Sequence, residues 1–300
     1  MPVPSPAQRL QQHAAGGPPL VAPLFAMLCG ELEGLTLREI AMNATKLSNT
    51  IRDLTRSLGA TVATVEFGSR WDLEAAGAAL DWSVFPPRVA GGAITEPAAV
   101  ATAARGPVII DAIGRVAALL GDQAVVAASV TGPVSAAREL GDTDLRATAK
   151  LALEAVRALC DAGAKLVWVV EDGAAPPQDP AALAQASAAV LGTARFYRAT
   201  AALHISGEAD GWLDAVRVLR QAVPCFDAER SPVLAGELAG GSRAFGLLVG
   251  PAGCGAATAE LAREPRCVLI AHDGELAGRI AARELRDAVG ALERAAGVGG

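Results

Sequence analysis

Aromatic residues are scarce in this 300-residue chain, at 4%, with one tyrosine (Tyr197) and three histidines (His13, His204, His272). A core drawn mostly from Ala, Val and Leu packs helices closely on strands, with little bulk to spare. No uninterrupted apolar run reaches the roughly 18 residues of a membrane-spanning helix. The opening MPVPSPAQRLQQ also lacks the basic start and apolar stretch of a signal peptide. A soluble, cytoplasmic protein with no membrane partner is therefore expected. The five cysteines (Cys29, Cys160, Cys225, Cys254, Cys267) are scattered, odd in number and without a C-x-x-C pair. That excludes a disulfide framework and suits a reducing compartment. The net charge of −6, with no basic stripe, excludes a broad nucleic-acid footprint.

What is present is alternation. Eight short β-like runs fall at 20–28, 60–67, 124–130, 165–172, 200–206, 223–228, 244–250 and 267–273. Most are continuously apolar, as strands covered on both faces must be. Helical patterns lie between them. TLREIAMNATKLSNTIRDLTRSLG has a capping-box arrangement of Thr36 and Glu39 and stops at Gly59, while the patterns near 142–163 and 179–199 open on aspartate caps. No Rossmann glycine fingerprint comes after the first strand. Eight β-then-α units in series predict a (β/α)8 barrel, with an open doubly wound sheet as the competitor. We expect a flexible N-terminal extension over 1–19 and a single domain over 20–300. The long 68–107 segment should cap the barrel mouth or line the site.

Chemistry in a barrel is built at the C-terminal ends of its strands. Those ends carry Cys29, Glu66, Thr131, Glu171 with Asp172, His204 with Ser206, Asp227 with Glu229, and His272 with Asp273. Each carboxylate could instead cap a helix or close a rim ion pair, and each histidine could serve the rim backbone. Gly132 and Pro133 should shape a turn that lets backbone approach a ligand. Cys254, in GPAGCGAA, reads as the most exposed thiol, in a loop that could hold an anion; Cys29, Cys225 and Cys267 read as buried. Trp71, Trp82, Trp168 and Trp212 read as packing residues.

Several stretches, taken in order over about residues 20–290, resemble the uroporphyrinogen decarboxylase superfamily, which includes corrinoid- and coenzyme-M-linked methyltransferases. VVAASVTGPVSAARELGDTD is similar to its Gly-Pro segment and CDAGAKLVWVVEDGAA to its "eD" strand. SLGATVATVEFGSRWDLEAAGAAL is similar to its second strand and the "EA-x-x-x-G" segment after it. LHISG stands in place of "H-x-C-G", and LIAHDG in place of the last-strand motif. The resemblance implies a (β/α)8 barrel of the uroporphyrinogen decarboxylase type, whose members are often homodimers.

The departures bear on activity. The arginine-rich segment of true decarboxylases reads FAMLCGELEGL here, and their Gly-Pro-loop tyrosine has no counterpart. Porphyrinogen decarboxylation is therefore not expected. The methyltransferase branch holds zinc through histidine and two cysteines, but Ser206 replaces the first cysteine and His272 lies near the second. A serine hydroxyl is a poor zinc ligand, so any zinc site would be rebuilt from His204, His272 and a carboxylate, Glu66 or Glu171. The leading expectation is methyl transfer between a corrinoid, as substrate or on a partner protein, or another methyl donor, and a small thiol or tetrahydrofolate. His204 and His272 would be metal ligands or proton carriers, with Glu66, Glu171 and Asp172 charging the site. Gly132, Pro133, Ser206, Arg70 and Asp227 would bind the small-molecule substrate. The alternatives are a lyase acting on a tetrapyrrole or other carboxylated substrate, using Arg70 and Arg88, and a non-catalytic barrel that binds a tetrapyrrole or partner.

Overall fold

The computed structural model describes residues 5–12, 18–25, 28–91, 100–141, 144–250 and 254–273, with residues 287, 290, 291, 293 and 294 beyond them. Ten strands are present among them: β1 (Leu20–Ala22), β2 (Val62–Glu66), β3 (Ala79–Asp81), β4 (Arg88–Gly91), β5 (Val125–Thr131), β6 (Leu166–Asp172), β7 (Thr200–Ser206), β8 (Val223–Phe226), β9 (Phe245–Val249) and β10 (Cys267–His272). All but β3 and β4 join one parallel sheet in the order β1-β10-β9-β8-β7-β6-β5-β2. At the seam between β1 and β2 a side chain bridges the two: Val21 N donates to Thr61 Oγ1 at 2.8 Å, and Thr61 Oγ1 donates to the Val21 carbonyl at 3.3 Å. The fold is a (β/α)8 barrel whose eight strands coincide with the eight runs expected from sequence, β5 ending one residue beyond its run at Thr131.

The helices are α1 (Pro6–Gln12), α2 (Leu28–Glu33), α3 (Leu37–Ala41), α4 (Ala44–Ser57), α5 (Trp71–Ala75), α6 (Gly106–Leu120), α7 (Pro133–Leu140), α8 (Leu145–Asp161), α9 (Pro180–Phe196), α10 (Leu213–Val218), α11 (Pro232–Gly240) and α12 (Ala256–Leu261). In α8 the buried residues Thr148, Leu151, Ala152, Ala155, Val156 and Leu159 repeat at three- and four-residue steps, the stripe that lays a helix on a sheet. The capping box of Thr36 and Glu39 is present, but Asn43 caps a fresh start, so the single long helix expected after Thr36 is two helices, α3 and α4. Asp144 and Asp179 cap α8 and α9 as expected.

Two apolar clusters show which way each strand residue points. Leu20, Ala22, Val62, Val125, Ala127, Leu166, Trp168, Ala202, Val223, Cys225, Leu248, Leu269 and Ala271 draw on all eight barrel strands and fill the interior. The outer cluster joins the alternate residues to the helices. Two expectations change here. Cys29 is not at a strand end, because β1 stops at Ala22 and Cys29 is buried in α2. Residues 1–19 are not wholly an extension either, since Leu10 of α1 is buried with the interior cluster. The last helix expected from sequence lies largely outside the described residues.

Candidate active site at the barrel mouth

A cavity of about 300 Å³ opens at the C-terminal ends of β2, β5, β6 and β7, within the range of small-molecule sites. His204 lies at its inner end, and Ser129, Thr131, Asp172 and Ser206 line it from their strands. Phe85 and Pro86, from the β3–β4 connection, complete the wall, so the 68–107 segment does reach the mouth.

His204 is fully buried on an inward position of β7. Its ring packs edge-on against Phe67 and Trp168, with centroids 4.8 and 5.9 Å away. Nε2 lies 3.4 Å from the His272 carbonyl oxygen, and Nδ1 has no partner among the described residues. A carbonyl can only accept, so this contact assigns the proton of the neutral ring to Nε2 and leaves Nδ1 as a bare acceptor. Burial holds His204 below the usual histidine range, and the nearby Asp273 carboxylate pulls the other way. Trp168 Nε1 and Thr64 Oγ1 are also buried without partners, so polar capacity extends below the cavity.

Glu171 is buried in the cavity wall and serves a helix at the same time. Its carboxylate accepts from Val134 N at 3.1 Å and Ser135 N at 2.8 Å, in the first turn of α7. Burial pushes it up to about 7 despite those bonds. Gly132 makes the arrangement possible, because a Cβ there would lie 2.2 Å from the Glu171 Cδ. Pro133 opens α7 at a position where a missing N–H costs nothing. Asp172 pairs with Arg138 at 2.7 Å; burial raises its pKa, but the Arg138 hydrogen bond and charge bring it below the usual range.

Arg70, in the left-handed region at φ 55°, donates from one terminal nitrogen to Glu139 at 2.7 Å and from the other to the Gly68 carbonyl. Both arginines on the cavity are thus neutralised, by Glu139 and Asp172. Asp72, buried and raised by burial, holds Thr131 through N and Oγ1 at 2.7 and 2.9 Å.

The other expected residues are elsewhere. Glu66 is absent from the cavity wall; it accepts from Ser69 and Ser129 and faces the Arg105 side of the outer layer. His272 stands on the side of β10 occupied by Ile270, paired in register with Val249, and both neighbours belong to the outer cluster. Its Nδ1 accepts from Leu24 N at 3.4 Å. Asp227 caps its own loop through Glu229 N and Arg230 N rather than lining the cavity. Arg88 is exposed on β4. Asp273 takes the inward position instead of His272: Oδ2 accepts from Gly207 N at 3.2 Å, and Oδ1 is buried without a partner among the described residues. The set His204, His272 and Glu66 is therefore not assembled, and among the described residues no three His, Cys, Asp or Glu side chains could hold a metal ion. Among the described residues no ligand set for zinc is present.

The cavity residues missed by sequence reasoning include Phe67, Ser129, Ser135, Arg138 and Glu139. Ser129 was within reach of it, two residues before Thr131 on the same face of the strand.

No protein-family model matches the chain, and no curated protein does. Among solved structures it is similar to a methyltransferase from Methanosarcina mazei, at 17% identity and a TM-score of 0.75, over 97% of this chain and 98% of that one. It is also similar to a B12-independent methionine synthase from a Shewanella species, in complex with selenomethionine, at 12% identity and 0.56, over 84% of this chain and 87% of that one. A putative phosphonomutase from Burkholderia cenocepacia gives 14% and 0.50, over 89% and 92%. These likenesses establish the barrel fold.

Proposed function

We propose that this barrel is a methyltransferase whose acceptor substrate loses its proton to His204 rather than to a metal-assisted base. The observation that carries the reading is the neutral, fully buried His204 at the inner end of the mouth cavity, with Nδ1 unpartnered among the described residues. The similarity in fold to a methyltransferase along nearly the whole chain supports it.

In the step envisaged, a thiol bound in the cavity attacks the methyl carbon of a donor at the mouth. The new bond joins sulfur to carbon, the carbon–donor bond breaks with its electron pair going to the donor, and the thiol proton moves to His204 Nδ1. The resulting imidazolium keeps its Nε2–H on the His272 carbonyl and gains the Asp273 carboxylate nearby. Arg138 and Arg70, already paired, shape the wall without presenting free charge; that weighs against a polycarboxylated substrate and the lyase reading. A corrinoid, free or on a partner protein, is the donor to test first.

The protein mixed with methylcobalamin and a small thiol, in the presence of a chelator, should change the corrinoid spectrum as methyl is lost. His204→Gln should reduce the rate at least about 100-fold, within the range of general-base contributions. No methyl transfer to a thiol or to tetrahydrofolate would overturn the reading, and carbon dioxide release from a carboxylated compound would replace it.

A further inference from the structure

The opposite end of the barrel carries a second concave site. A pocket of about 410 Å³, at the N-terminal ends of β7 and β8, is lined by Arg195, Arg198, Thr200, Arg220 and Gln221 among others. Six residues of extended strand separate Thr200 from Ser206, about 20 Å at 3.3 Å per residue, so this pocket is remote from the mouth cavity.

Three features distinguish it. The guanidinium groups of Arg195 and Arg220 have no ion pair or hydrogen bond among the described residues, whereas the nearby Arg217 is held by Asp214 and Glu237. The positive charge is felt locally: burial chiefly, and then the charge of Arg220, hold Arg243 down to about 10.

The third feature is backbone conformation. Helix α9 ends in a Schellman motif, with Ala199 N donating to the Ala194 carbonyl at 2.8 Å and Arg198 N to the Arg195 carbonyl at 2.9 Å. The residue after such a cap adopts positive φ, and glycine fills that place after α4 (Gly59), α5 (Gly77) and α8 (Gly163). After α9 it is Arg198, at φ 55°. Left-handed backbone is unfavourable for a side chain with a Cβ, so an arginine here is retained against a local cost. The attraction of Arg195 to the helix C-terminus accounts for one of the three arginines. It does not account for Arg220, which comes from the next connection.

We propose that this pocket binds a small phosphate-bearing ligand with at least two adjacent negative charges. Planar guanidinium groups match phosphate oxygens two at a time, and the unpaired pair Arg195 and Arg220 on one cavity exceeds what a single carboxylate would use. The pocket is also far larger than one phosphate, which leaves room for a diphosphate or an ester group beyond it.

The test is calorimetric titration of the full-length protein with inorganic pyrophosphate at low ionic strength, with orthophosphate and citrate alongside. One pyrophosphate should bind per chain, more tightly than either competitor, and more weakly as salt rises. The paired change Arg195→Gln and Arg220→Gln should weaken it at least tenfold, while Arg217→Gln and the mouth variant Arg138→Gln leave it unchanged. Arg198→Gly should weaken binding and yet raise the urea midpoint, a combination that a purely structural arginine would not give. The proposal is overturned by absence of saturable binding, by tighter citrate binding, or by affinity that survives loss of Arg195 and Arg220. Loss of binding only in Arg138→Gln would place the anion at the mouth and overturn it equally.

Discussion

Glu171 sets two effects against each other, and its pH behaviour tells which wins. Its carboxyl sits at the N-terminus of α7 and accepts two backbone N–H bonds, a setting that favours the charged form. It is also 1% exposed, and desolvation favours the neutral form. Burial wins, placing the group at about 7 against an ordinary 4.5. The folded chain therefore holds this proton more tightly than the unfolded chain. The associated stabilisation is complete below about pH 4.5 and is lost as pH rises through about 7. At about 1.4 kcal/mol per pH unit, the loss amounts to about 3 kcal/mol. Urea unfolding of the wild type and Glu171→Gln across pH 4.5 to 8 isolates it, because Glu66 and Asp72, also raised by burial, are common to both chains. Wild-type stability relative to the variant should fall by about 3 kcal/mol over that range. A flat difference, or a rise with pH, would show that the helix N-terminus prevails and would refute the argument.

Gly132→Ala should cost at least about 2 kcal/mol in urea unfolding, since Glu171 must leave its place and forfeit two buried hydrogen bonds, each worth about 1 kcal/mol. Arg105, nearly buried, is paired with Glu74, bonded to the Ser69 carbonyl and stacked 4.6 Å from the Trp82 ring. Arg105→Leu should cost about 3–5 kcal/mol by the same measurement, the range for breaking a buried pair. A thiol reagent at pH 8 should modify Cys254 first, because the other four cysteines are buried, and burial pushes Cys160 and Cys267 up to about 12. Rapid reaction of two or more thiols in the native protein would contradict this burial.

The barrel was legible because its strands are continuous apolar runs bounded by helix caps, and each of the eight runs contains a strand of the sheet. The inner end of the site was legible at His204, where β6, β7 and β8 pair without a break and alternation carries through to the strand end. Nothing in the chain's local pattern announces the ion pairs Arg70–Glu139 and Arg138–Asp172, whose partners are far apart in the chain and meet only once α7 docks at the mouth. Local pattern also could not decide whether Glu171 served a helix or the site, and the structure gives it both places.

The two candidate ligands that failed, Glu66 and His272, share a cause. The barrel sheet has two register irregularities among the described residues, one in β2 between Thr64 and Glu66 and one in β10 between Cys267 and Leu269. Strict alternation from Val62 or from Val268, both interior residues, points Glu66 and His272 inward. An extra residue flips everything beyond it. After the irregularities Phe67 faces His204, and Leu269, Ala271 and Asp273 take the inward positions of β10. A bulge leaves no mark in an all-apolar run, so the histidine in CVLIAHDG invites a reading that belongs to the aspartate beside it. The serine at 206 and the outward turn of His272 each withhold a metal ligand from His204, one by residue type and one by direction. Their coincidence with a fully buried, neutral His204 is what makes a metal-free proton acceptor, rather than a damaged zinc centre, the chemistry to test at this mouth.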